Sequence, residues 1–268
     1  MDRKTFFLGI GLAVVLVFCA ASVYSGLTKA PHADRETLYQ VSTIDALMQG
    51  AFDGTETVAE LKKHGDFGVG TFDALDGEMI VLDGRVYHAG ADGTISLAPD
   101  TETTPFATVT YFDRDFTEKT TVPMNFSAFA STMSAGLPSQ NIIYAVRMHA
   151  TFPVVKVRAI PAQNKPYPTL TGAAENQSVF TYRDTTGTVV GFYTPSFLKG
   201  LNAAGYHLHF ISDDRRTGGH ILDFTVPGST TVDYDITPGF TMALPTSGSF
   251  TGVDLSRDLS GELAKVEQ

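Results

Sequence analysis

Three histidines carry the spacing of a metal centre. In Tyr206-His207-Leu208-His209-Phe210-Ile211 the two-residue period of an extended chain sends His207 and His209 to one face and Leu208 and Phe210 to the other. The stretch Asp213-Asp214-Arg215-Arg216-Thr217-Gly218-Gly219 then has turn composition, and His220-Ile221-Leu222-Asp223-Phe224 resumes an extended pattern. A symmetric loop over Asp213 to Arg216 pairs Ser212 with Thr217, and therefore His209 with His220. Opposed residues of an antiparallel ladder carry Cβ atoms about 4.5–5.5 Å apart, so all three imidazoles can reach one ion. Three neutral histidines with open remaining positions suit a catalytic zinc ion (Zn2+), a Lewis acid that polarises a bound oxygen. An H-x-H pair alone is more often a half-buried strand whose rings meet water or carboxylates. The third histidine at the opposing position turns the reading toward a metal. His32, His64, His88 and His149 have no histidine neighbours of this kind.

The elements that must position these rings are mostly extended. Ser42 to Gln49 has an N-cap in Ser42 or Thr43 and apolar Ile44, Leu47 and Met48 on one helical face. A second short helix is expected from Thr57 to Lys63, ended by Gly65. From Phe67 the pattern changes to short runs, Gly68 to Phe72, Glu78 to Leu82, Arg85 to His88 and Thr94 to Leu97, with Asp83-Gly84 and Asp92-Gly93 as hairpin turns. Thr108 to Phe112, Tyr144 to His149 and Val154 to Ile160 add strands, with a helix over Ser127 to Gly136. Three prolines between Pro161 and Pro168 cannot continue a central strand and mark the expected domain boundary. Beyond it lie strands at Ser178 to Arg183, Thr188 to Tyr193, His207 to Ser212, His220 to Val226 and Thr231 to Ile236, and a helix at Pro195 to Leu201.

Composition narrows the class. With 268 residues, 43% hydrophobic and 18% charged, the chain is an ordinary globular protein. Its 19 basic and 29 acidic residues give a formal charge of −10, which repels a phosphate backbone, and Arg215 and Arg216 follow Asp213 and Asp214 in a turn, so nucleic acid is excluded as a partner. Cys19 is the single cysteine, which leaves no intramolecular disulfide and no thiolate cluster, so a metal must use His, Asp or Glu. Arg3 and Lys4 precede an apolar run from Phe6 to Val23 and small or polar residues from Ser22 to Gly26. Residues 1–26 therefore read as a signal peptide or, at close to the ~20 residues that span a bilayer, as an N-terminal membrane anchor. Phe18 stands where a lipoprotein needs a small residue, which argues against acylation of Cys19. Residues 27–37 read as a tether, and the protein as exported: periplasmic, secreted or membrane-anchored.

The sequence resembles the alpha-acetolactate decarboxylases of the acetoin pathway. The likeness rests on Gly65-Asp66-Phe67-Gly68-Val69-Gly70-Thr71-Phe72, on Leu75-Asp76-Gly77-Glu78, on Tyr206-His207-Leu208-His209-Phe210 and on Gly218-Gly219-His220. It implies a zinc ion on His207, His209 and His220. Glu78, Arg158 and a glutamate near the chain end would line the site; that glutamate maps onto Glu267, with Glu262 as the alternative. Thr71 falls on another position that faces the family's site. The implied fold is α+β, two β-rich α/β domains with mixed or antiparallel sheets, here residues 38–165 and 166–268, usually paired as a homodimer. The metal site then sits on a β-hairpin of the C-terminal domain. The implied reaction turns (S)-2-acetolactate into (R)-acetoin and carbon dioxide through a metal-stabilised enediolate, in acetoin and butanediol metabolism. Arg158 would orient the departing carboxylate and a carboxyl group would supply the proton. Taken without the resemblance, Glu78 is a turn-flanking acid, Arg158 lies on an alternating strand that commonly faces outward, and Glu267 is a frayed end.

The tail adds one expectation. Leu255, Leu259, Leu263 and Val266 share a helical face that wants a groove; docked over the mouth of the site it would exclude water. Loss of residues 263–268 is then expected to lower turnover with little change in thermal unfolding. Two other readings compete. A cupin-like metal-dependent oxygenase also uses H-x-H in a β-rich domain, but wants a glutamate where Asp213 and Asp214 stand. An exported metal- or ligand-binding module would bind zinc without turnover.

Overall fold

The computed structural model describes residues 35–266. The expected signal or anchor segment, Cys19, most of the tether and Glu267 lie outside the described residues. In chain order the elements are β1 (Thr37–Val41), α1 (Ile44–Met48), β2 (Glu56–Thr57), α2 (Val58–Leu61), β3 (Phe67–Thr71), β4 (Glu78–Leu82) and β5 (Arg85–Ala89). Then come β6 (Ile95–Leu97), β7 (Thr103–Thr104), β8 (Ala107–Thr110), β9 (Phe116–Lys119), β10 (Met124–Asn125), α3 (Phe126–Gly136) and β11 (Tyr144–Ala159). The remainder is α4 (Leu170–Ala174), β12 (Ser178–Thr194), β13 (Gly205–Ser212), β14 (Gly218–Val226), β15 (Thr231–Ile236), β16 (Gly239–Ala243) and α5 (Ser260–Leu263).

Two seven-stranded sheets dominate. The first runs β16-β1-β8-β3-β4-β5-β6 and is mixed, because β1 pairs with β16 in parallel. The second runs β10-β14-β13-β12-β11-β15-β9 and is antiparallel throughout. An apolar layer joins them: Leu38, Phe67, Val69, Ile80 and Leu82 of the first pack with Ala145, Val190, Phe192 and Ile211 of the second. The other face of the second sheet closes over α3, through Phe129 and Met133 against Phe210, Phe224 and Tyr234. β4 is buried along its whole length, as a strand covered on both faces must be, which is why Glu78-Met79-Ile80-Val81-Leu82 reads as a nearly continuous apolar run.

Three sequence expectations are corrected. The Pro161–Pro168 segment does not separate two domains: it connects β11 to β12, which pair with each other from Tyr144 with Tyr193 to Ala159 with Ser178. The second sheet draws β9, β10 and β11 from before the prolines, and the first recovers β16 from the far end of the chain. Second, the four strands expected between Tyr144 and Tyr193 are two long ones, because Pro153 is absorbed at a break in the ladder where Asp184 takes φ +47°, and the strands continue past it. Third, the Pro195–Leu201 helix shrinks to a single 3₁₀ turn, Ser196–Leu198. Of the two caps expected for the first helix Thr43 serves, accepting from the Ala46 N–H, and Thr57 caps the second by accepting from that of Glu60.

Candidate active site

The hairpin forms in the register that its turn dictates. Ser212 N–H donates to Thr217 O at 2.9 Å, and His209 stands opposite His220 on the β13–β14 ladder. β14 then leaves β13 and pairs with β11, so His220 is opposite Arg158 as well. The sheet curls at that point, and Gly219, at φ +142°, has room for no side chain: a Cβ there would lie 2.5 Å from the Arg158 carbonyl oxygen. His207, His209 and His220 are all buried, and their ring centroids form a near-equilateral triangle with sides of 5.2, 5.1 and 5.3 Å. One ligand nitrogen from each lies within 4.8 Å of the others.

The donor set fits a metal ion. His209 Nδ1 is 2.9 Å from the Met79 carbonyl oxygen, which can only accept, so the proton sits on Nδ1 and the lone pair on Nε2. That Nε2 is buried without a hydrogen-bond partner. Burial, aided by the nearby charges of His207 and Arg158, holds the His209 pKa well below the usual histidine range. A neutral ring, with its remote nitrogen tied to a carbonyl and the other turned inward, is the state in which histidine ligates metal.

Arg158 and Glu78 meet beside the histidines. Glu78 opens β4, on the face that carries Ile80 and Leu82 toward the second sheet; Arg158 lies near the end of β11. Arg158 Nη1 donates to Glu78 Oε1 at 2.8 Å, and the two side chains are 5% and 8% exposed. The other carboxylate oxygen, Oε2, is 3.7 Å from His209 Nε2. Desolvation largely offsets the attraction in so dry a pair, so its stability value is small and its position in a pocket is the functional signal. Thr71 pairs with Glu78 across the β3–β4 ladder and lines the same pocket, but its hydroxyl is used by the turn, donating to Gly77 O at 2.7 Å.

The remaining wall is apolar: Ile44, Leu47, Leu75, Phe106, Ile160 and Leu170. From the sequence Ile44 and Leu47 read only as the apolar face of a helix, and nothing there marks any of the six as site residues, nor the Met79 carbonyl as the partner of a histidine. The same cluster receives the tail, where Leu259, Leu263 and Val266 are buried against it. Leu255 is 40% exposed and does not join that face. Glu262, the alternative acid, is also half-exposed, 3.7 Å from Arg257. The carboxylates that would complete a cupin-like set point elsewhere: Asp213 contacts His149 at 3.1 Å, and Asp214 accepts from Ser212 and from the Arg216 N–H.

A β-rich fold with a buried three-histidine centre beside a desolvated Arg–Glu pair, walled by aliphatic side chains, defines an enzyme acting on a small polar substrate. The chain belongs to the alpha-acetolactate decarboxylase family, whose model matches residues 38–257. It is 47% identical over 233 residues to an alpha-acetolactate decarboxylase from Methanosarcina mazei, covering 87% of this chain and 81% of that one. With the protein of that name from Methylococcus capsulatus it shares 43% over 236 residues, 88% and 90% of the two chains. The crystal structure of alpha-acetolactate decarboxylase from Bacillus subtilis strain 168 superposes with a TM-score of 0.82 at 35% identity, over 86% of this chain and 98% of that one. Among the described residues no helix is long and apolar enough to cross a membrane.

Proposed function

We propose that the protein catalyses zinc-dependent decarboxylation of (S)-2-acetolactate to (R)-acetoin and carbon dioxide, in acetoin and butanediol metabolism. The observation that carries this reading is the buried Arg158–Glu78 pair set beside three converging histidines, two of which, His207 and His209, line the same pocket. An all-imidazole donor set favours zinc over the harder cations that prefer oxygen. His207, His209 and His220 would hold it. When bound, zinc supplies a Lewis acid for the negative charge that departure of carbon dioxide leaves on the neighbouring carbonyl oxygen.

The protein's own groups do the rest. Arg158 presents a planar fork that matches the substrate carboxylate and fixes the orientation in which the carbon–carbon bond breaks. The electron pair released stays on the substrate until a proton reaches carbon from one face. Glu78 stands beside the histidines for that delivery, directly or through water; Glu267 is the second candidate, at the end of a tail whose apolar residues dock on the pocket wall. Ile44, Leu47, Leu170 and their neighbours keep water out, which strengthens every charge interaction inside. The protein is further proposed to be exported, through residues 1–26, and to work as a homodimer. Incubation with racemic acetolactate tests the reaction: (R)-acetoin should accumulate, and absence of acetoin above the uncatalysed rate would sink the proposal.

A further inference from the structure

Glu78 enters the pocket from an awkward turn. Ala74 and Leu75 both take left-handed backbone angles, φ +59° and +62°, and Gly77 follows at φ +68°. Two successive non-glycine residues in that region persist only when their surroundings hold them there. On the pocket side the turn is well tied. Ala74 N–H donates to Phe52 O, and Gly77 N–H to Ile160 O, both at 2.8 Å; Thr71 Oγ1 donates to Gly77 O.

On the opposite side the His88 side chain and the Ala89 carbonyl close on it. His88 lies on β5 opposite Met79, the residue whose carbonyl holds His209. Its ring packs on Phe72 at 4.3 Å between centroids. Its Nε2 is 3.9 Å from Asp76 Oδ2, and its Nδ1 is 3.4 Å from Glu102 Oε1. That Nε2 is buried and makes no hydrogen bond, and the Asp76 carboxylate at 3.9 Å is a charged group within reach of a small side-chain rotation. Gly77 passes so close that a Cβ would lie 2.7 Å from the same nitrogen. His88 does not line the substrate pocket; it borders a separate cavity of about 290 Å³ together with Asp76 and Pro161.

We infer that His88 is a positioning residue for Glu78: braced by Phe72 and Glu102, its imidazole fixes the Asp76-Gly77 turn from which the Glu78 carboxylate reaches Arg158 and the histidines. The inference rests on the proposed role of Glu78 in turnover. It acts through the backbone, so its loss moves a carboxylate by a fraction of an ångström and leaves the apolar pocket and the metal ligands as they are.

A double-mutant cycle on the full chain tests it, with kcat, KM, zinc per chain and thermal midpoint read for His88→Gln, Glu78→Gln and the pair. His88→Gln should lower kcat roughly tenfold, as sub-ångström misplacement of a catalytic group can, with KM, zinc content and thermal midpoint close to those of the parent protein. In the Glu78→Gln background the same substitution should change kcat no further. Asp76→Asn, at a half-buried position, should reproduce the effect and its dependence on Glu78 if His88→Gln does not fold. Unchanged kcat, or equal losses in both backgrounds, overturns the inference while leaving Glu78 in its role. Full turnover by Glu78→Gln alone would remove both.

Discussion

The histidine hairpin and the Arg158–Glu78 junction lie side by side and were assembled by opposite means. The hairpin is local: 14 positions of chain from His207 to His220, folded by a turn whose composition and length set the register, so His209 must face His220. The junction is remote. Glu78 and Arg158 are 80 positions apart and sit in different sheets, and what brings them together is the packing of Ile80 and Leu82 against Ala145 and Val190. Local pairing confers a histidine triad that survives small shifts elsewhere, whereas the junction inherits every error in how the sheets pack. The two regions should therefore fail differently.

The largest effect belongs to the hairpin. His209→Ala removes one of the three proposed ligands and its link to Met79, and a Lewis acid is worth several kcal/mol to the reaction. Turnover should fall by ~10³-fold or more, with loss of bound zinc, as measured by acetoin formation and metal analysis. A variant that keeps both would break the comparison at once. The junction should lose chemistry without losing metal. Arg158→Lys keeps the charge but not the two-pronged contact, so kcat should fall by ~10- to 100-fold at unchanged zinc content; unchanged kinetics would mean that the guanidinium does not touch substrate. Arg158→Ala should instead appear in denaturant unfolding, costing about 3–5 kcal/mol, because Glu78 is left charged and buried.

Removal of residues 263–268 should cut turnover by roughly tenfold through loss of the covering segment and of Glu267. The structure revises the accompanying expectation for stability. Leu263 and Val266 are buried against Phe52, Phe106 and Leu170, so the thermal midpoint should fall as well, by ~5 °C. A truncated chain with normal turnover and a lower midpoint would make the tail purely structural.

The smallest effect lies away from the site and serves as a control. Asp235 is 1% exposed, and burial, reinforced by Asp115, Glu36 and Asp113, raises its pKa to about 7 despite an N–H donated by Asp113. A folded-state pKa above the unfolded value means that the neutral carboxyl's contribution is complete below about pH 4 and is lost as pH climbs through about 7. Asp235→Asn should therefore raise the thermal midpoint at pH 8 by ~3 °C and do little at pH 5, with kcat unchanged at both. An equal shift at both pH values would mean that Asp235 is not protonated in the fold.

Much of this was legible in the sequence because it was local. The two short helices, with Thr43 one of the two caps offered for the first, the hairpin strands around Asp83-Gly84 and the pairing of His209 with His220 follow from period, turn composition and side-chain hydrogen bonding. What was not legible needed partners distant in sequence. Tyr144 to His149 and Val154 to Ile160 read as separate strands because the ladder that carries the chain past Pro153, against Thr185 and Arg183, begins beyond the proline run. That run looked like a domain boundary because its ends are tied together by β12, which composition does not reveal. Glu78 and Arg158 looked like surface charges, and only the family resemblance placed them in a site; the apolar wall, drawn from stretches of chain far apart in sequence, carried no signal of a site.

The central claim is that three histidines hold a zinc ion on which turnover depends, with Arg158 and Glu78 acting beside it. Its most direct test is the rate of acetoin formation from racemic acetolactate by the purified protein before chelation, after removal of metal, and after stoichiometric zinc is returned. The rate should fall to the uncatalysed level in the metal-free protein and recover at about one zinc per chain. Full turnover by protein shown to be metal-free would contradict it.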